Sequence, residues 1–86
     1  MHAVIAQRLR VLGHPLRVAI MDALRDGELK LQDVADHVGT SEQNASRHAL
    51  RLHQAGVLAR RPSGREVFYS IARRRALELL DVAEHW

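Results

Sequence analysis

The 86-residue sequence contains no cysteine. Disulfides, thiolate metal sites and thiol redox sensing are excluded with it. Aromatic side chains are nearly as scarce, amounting to Phe68, Tyr69 and Trp86. A core must therefore come from Leu, Val, Ile and Ala, which suits packed helices. No apolar run approaches the roughly 18 residues of a membrane span, and no signal peptide is evident. A soluble cytoplasmic protein with no membrane partner is the expectation. Also missing are a glycine-rich phosphate loop, a Ser-His-Asp arrangement in fold context, and the length that most cofactor-binding α/β cores need. The expectation is a non-enzyme without a cofactor.

What is present suffices for one domain, residues 1–86. Hydrophobic residues make up 47% of the chain, too many for a disordered one. A domain of this size buries only about 60% of its unfolded surface, so it is marginal alone. The net charge is +3, but it is unevenly placed. Residues 1–46 carry −1, residues 47–75 carry +7 with Glu66 their sole acid, and residues 76–86 carry −3. Twelve of the thirteen basic residues are arginine. Arginine forks onto phosphate and guanine better than lysine does. A one-sided basic block of this kind points to a polyanionic partner.

Along the chain, residues 3–12 place Val4, Ile5, Leu9 and Leu12 at helical spacing. Gly13-His14 ends that helix, and Pro15 opens a second, where its missing N–H costs nothing. Leu16, Ala19, Ile20, Ala23 and Leu24 form its apolar stripe, and Asp26-Gly27 stops it. Residues 31–38 make a short third helix closed by Gly39, which supplies a left-handed turn. Thr40 and Ser41 both qualify as N-cap of a fourth helix running to about Ala55, before Gly56. Its inward set is Ala45, Ala49 and Leu52. A strand begins at Val57, Pro62-Ser63-Gly64 is turn chemistry, and Val67, Tyr69 and Ile71 alternate on the returning strand. A last helix runs from about Ala72 to the end. The fold class is thus mostly α with a small β-hairpin: four helices, two strands and a fifth helix, ordered as a winged helix-turn-helix.

Each part of that motif has a separate task on double-stranded DNA. Gln43, Ser46 and Arg47 lie on the outward face of the fourth helix, where Arg47 can fork onto guanine and Gln43 can pair with adenine. Arg51 is placed for the phosphate backbone. Arg60, Arg61 and Arg65 flank the wing turn and suit phosphate or minor-groove contact. Arg73 to Arg75 suit the backbone too, or pairing with Asp81 and Glu78. The last helix is apolar on more than one side and needs two partners, the second being another subunit.

From Leu12 to Ile71 the chain resembles the ArsR/SmtB family of winged-helix repressors. The resemblance rests on the Leu-Gly-x-Pro-x-Arg entry at Leu12, the Ser-x-x-x-x-Ser-x-His helix at Ser41 and the Gly-Arg-x-x-x-Tyr wing at Gly64. It favours Ser41 over Thr40 as the cap. It implies a homodimer through the first and last helices, with Val4, Ile5, Leu9, Leu79, Val82, Ala83 and Trp86 at the interface. It also implies a partly palindromic operator and repression relieved by an inducer. The departures are as informative. The family's thiolate metal motif, Cys-x-Cys-Asp, is replaced by Lys30-Leu31-Gln32-Asp33, and an Asp-x-His site after the wing by Arg73-Arg74-Arg75. Leu50 occupies a position normally polar in the family, so the helix sits differently or Leu50 packs under the wing.

Six histidines raise a metal hypothesis. His48 and His53 are split across a helix, and no chain-internal set supplies the four ligands that zinc prefers. The expectation is no metal site, with His48 instead hydrogen-bonded across the helix-turn-helix. Regulation, if any, then comes from an organic ligand, a partner protein or simple changes in protein level. The reading is a sequence-specific, homodimeric transcriptional repressor. Its alternatives are a winged helix used for protein or RNA contact, a histidine-based metal sensor, and a dimerisation segment of a longer enzyme.

Overall fold

A computed structural model describes residues 1–86. Helix α1 spans His2–Leu12, α2 spans Pro15–Ala23, and a two-residue strand β1 spans Leu29–Lys30. Helix α3 follows at once over Leu31–Val38, then α4 over Glu42–Gln54. Strands β2 (Leu58–Ser63) and β3 (Glu66–Ile71) form the hairpin, and α5 covers Arg74–Glu84. No helix is long and apolar enough to cross a membrane.

Local chemistry accounts for the boundaries. His14 caps α2 by accepting from the Leu16 N–H through Nδ1 at 3.1 Å, ahead of Pro15 at N1. Ser41 caps α4, its Oγ accepting from the Asn44 N–H at 3.0 Å. Both α3 and α4 end at a left-handed glycine, Gly39 with φ 73° and Gly56 with φ 81°. Each glycine lets the next N–H reach back to a carbonyl five residues earlier, Thr40 to Ala35 and Val57 to Leu52.

The expected two-stranded hairpin is part of a three-stranded antiparallel sheet in the order β1-β3-β2. Leu29 pairs with Tyr69 and Lys30 with Phe68 on one side of β3, while Arg60 pairs with Tyr69 and Arg61 with Phe68 on the other. Val57, expected to begin the strand, precedes it. Its carbonyl instead accepts from the Ala72 and Arg73 N–H groups, closing the base of the hairpin.

The core gathers one face of each inner element: Ile20, Met21 and Leu24 of α2, Val34 of α3, Ala49 and Leu52 of α4, and Tyr69 of β3. Ala76 and Leu77 are the contribution of α5. Helix α1 buries no residue at all, and only its last turn, Val11 and Leu12, is half-buried. An isolated helix of eleven residues is marginal in water. Its apolar stripe is therefore an unmet demand for packing.

Candidate nucleic-acid interface

Helix α4 divides cleanly. Ala45, Ala49 and Leu52 are fully buried, as the spacing predicts. Gln43, Ser46, Arg47 and Leu50 fall at i, i+3, i+4 and i+7, which places them on one face. With Ser41 and Asn44 they line an open depression of about 630 Å³. Arg47 Nη2 donates to Asn44 Oδ1 at 2.8 Å, and Asn44 Nδ2 donates to Thr40 Oγ1 at 3.0 Å. This chain of two hydrogen bonds aims the guanidinium from the helix's first turn. Arg47 has no carboxylate partner, so its charge is free for a ligand. Asn44, the middle of this chain, is not singled out by the sequence reading; its place three residues before Arg47 and four after Thr40 is the signal that could have found it. Leu50 is 37% exposed on the stripe. Arg51, one turn beyond Arg47, is exposed and makes no side-chain hydrogen bond or ion pair.

The wing arginines separate into two groups. Successive strand residues project to opposite faces, so Arg60 and Arg61 point apart. Arg61 is committed: Nε and Nη2 fork onto the Glu28 carboxylate at 3.0 and 2.7 Å, and the guanidinium lies 4.5 Å from the Phe68 ring centroid. This pairing holds the Glu28 carboxyl below its usual range and raises Arg61. Arg60 and Arg65 are exposed and unpaired. Glu28 carries no sequence signal, because it meets Arg61 only through the β1–β3 pairing.

Arg73 and Arg74, both exposed, bind backbone carbonyls rather than Glu78 and Asp81. Arg73 Nε donates to the Gly56 carbonyl at 3.2 Å, and Arg74 Nη1 to that of Arg25, also at 3.2 Å. Asp81 is taken by Arg25 at 2.9 Å, which ties α5 to α2. Arg25 also pairs with Asp22, and these contacts raise its pKa.

Behind the α4 stripe, Arg17 of α2 donates from Nε to His48 Nδ1 at 3.2 Å and from Nη1 to the Val11 carbonyl at 3.1 Å. The His14 and His48 rings lie 4.4 Å apart. The hydrogen bond expected of His48 exists, but its partner is on α2, outside the helix-turn-helix. Burial first, then the charges of His14, Arg17, Arg47 and Arg51, push the His48 imidazole below its ordinary value. A neutral ring that accepts through Nδ1 is the consequence.

The positions that would hold a metal in this fold do not fit one. Lys30 is paired in β1, Leu31 packs against the core, and Arg73 and Arg74 bring two cations to the second place. No three His, Asp or Glu side chains gather closely enough to hold an ion.

Helices α1 and α5 border a groove of about 670 Å³, in which Ile5, Leu9, Leu79 and Val82 line the apolar wall. Val4, Ile5, Leu9, Leu79, Val82, Ala83 and Trp86 are all exposed.

Comparison with known proteins agrees with this fold. The model of the bacterial regulatory protein arsR family matches residues 14–60. The HTH-type transcriptional regulator NmtR of Mycobacterium tuberculosis is 37% identical over 82 residues, covering 94% of this chain and 68% of NmtR. The crystal structure of M. tuberculosis Rv0081 superposes with a TM-score of 0.86 at 32% identity, over 98% of this chain and 85% of that one. The solution structure of the homodimeric winged helix-turn-helix DNA-binding domain Mb0332 of Mycobacterium bovis, a 1–100 fragment, gives a TM-score of 0.80 at 25% identity. It covers 93% of this chain and 74% of that one.

Proposed function

This chain belongs to the arsR family of bacterial regulatory proteins and is a DNA-binding transcriptional regulator, not an enzyme; from that premise we propose that it acts as a cytoplasmic homodimeric repressor on a partly palindromic operator. Helix α4 enters the major groove, with Gln43, Ser46 and Arg47 toward base edges. Arg51, Arg60 and Arg65 meet the backbone. Arg61 supports Phe68 and the β1–β3 edge in the free protein and joins the interface only on leaving Glu28. The dimer closes through the exposed apolar faces of α1 and α5, where Leu9 and Leu79 need cover that one copy does not supply.

The observation that carries this reading is the buttressed, carboxylate-free Arg47 on the exposed stripe of α4. Base-edge recognition needs a side chain held in one geometry. The Thr40–Asn44–Arg47 relay does that before any ligand arrives. The homodimeric DNA-binding relative from M. bovis supports the assembly. Two-fold symmetry then places half-sites about 34–36 Å apart, one turn of the duplex.

Selection from random duplexes, paired with sedimentation of the free protein, tests the proposal. The expected result is a recovered palindrome and a dimer at micromolar concentration. A monomer with no preference among duplexes overturns it.

A further inference from the structure

We infer that Leu50 reads sequence, by apolar contact with the 5-methyl group of a thymine on the major-groove floor. The inference rests on α4 being the helix that enters the groove. Eight large apolar side chains are exposed on this protein. Seven of them, Met1, Val4, Ile5, Leu9, Leu79, Val82 and Trp86, lie on or beside the two terminal helices. Leu50 alone lies elsewhere. It belongs neither to the core nor to the residues packed against it, and it does not border the α1–α5 groove. At 37% exposed it is partly covered, and the proposed dimer does not account for the surface that stays open.

Its place on α4 does. Leu50 continues the stripe of Gln43, Ser46 and Arg47 by one helical step and is the sole apolar residue lining their shared depression. The major-groove edges of the bases offer hydrogen-bonding groups and a single apolar feature, the thymine methyl. A leucine held at the end of a polar reading stripe matches that feature. A hydrogen-bonding base edge set against it would lose its water and find no partner. Leu50 stands three residues beyond Arg47, about 4.5 Å along the helix axis. One base-pair step is about 3.4 Å. The thymine therefore falls within a base pair or two of the position that Arg47 reads.

The test replaces thymidine by deoxyuridine, one position at a time, in the duplex recovered by selection. This removes the methyl and leaves pairing and backbone untouched. At one thymine per half-site, the wild-type protein is expected to lose about fourfold in affinity, the weight of one buried methyl, and about 15-fold with both half-sites substituted. Leu50→Ala is expected to fold normally by thermal melting, to bind the thymine duplex more weakly, and to bind the thymine and uracil forms equally there. Three results overturn the inference while leaving DNA binding intact: no uracil-sensitive position, a half-site without thymine near the position read by Arg47, or a thymine–uracil difference that survives in Leu50→Ala. Failure to select any duplex overturns the inference and the underlying function together.

Discussion

Arg17 on α2 donates to His48 on α4 at 3.2 Å, and the same guanidinium holds the Val11 carbonyl at the end of α1. One side chain thus joins the base of the proposed dimer helix to the back of the helix proposed to read DNA. The contact requires a neutral His48, because an imidazolium has no acceptor to offer. In the folded protein burial and surrounding cations depress its pKa from the ordinary 6.5. In the unfolded chain it titrates normally. Below about pH 6.5 the unfolded state binds a proton that the folded state refuses, so stability falls as pH falls and is unaffected well above that value. Urea unfolding between about pH 8 and about pH 5 should show this loss, and His48→Asn should flatten it. Equal pH dependence in both proteins would mean that His48 is not the group that sets it.

Arg47→Ala removes the proposed guanine contact and should relax preference at one position, at a cost of about 1–3 kcal/mol on the preferred site. Asn44→Ala should do part of the same without touching DNA, since it releases Arg47 and the Thr40 hydroxyl from their relay. Competition with single-position operator variants reads both. A uniform loss across all sequences would move Arg47 from base to backbone.

The Glu28–Arg61 fork makes an unusual prediction for the wing. Glu28→Gln releases a cation, so binding to every duplex should tighten and the salt dependence should steepen by about one unit, as one more phosphate is neutralised. Arg60→Ala and Arg65→Ala should each flatten it by about the same amount. Affinity measured over a range of salt concentrations separates these. Unchanged slopes for the Arg60 and Arg65 variants would take the hairpin out of the interface.

Leu9 and Leu79 are 55% and 49% exposed, so a charge at either place costs little inside one copy. Leu9→Glu and Leu79→Glu should therefore leave a folded chain that sediments as a monomer. With two linked half-sites reduced to one, operator affinity should fall by about 100-fold or more. A variant that stays dimeric places the interface elsewhere.

Much of this arrangement is legible along the chain because it is locally caused. Pro15, Gly39, Ser41 and Gly56 set their helix ends through contacts within a few residues, and α3 occupies the eight residues that its spacing marks. The features that the chain does not spell out are long-range. A strand of two residues has no periodicity to detect, so β1 is visible only through its pairing with Tyr69 and Phe68. Helical spacing sets Arg74 and Arg75 near Glu78 and Asp81, yet Asp81 is held by Arg25 from the turn after α2. Likewise, Arg61 looks free beside Arg60 in sequence and is bound in space, because Glu28 arrives with the third strand. Charge density along the chain marks the block proposed to face DNA. It does not distinguish cations available to phosphate from those already spoken for.

The short strand at Leu29–Lys30 runs directly into α3 while stitched to the outer edge of the wing. The hairpin is therefore no loose flap. Its returning strand is hydrogen-bonded to the residues that lead into α3. In the proposed homodimer each copy would then present its helix and its hairpin to the duplex as a single body, and the spacing between the two bodies would decide which half-sites fit.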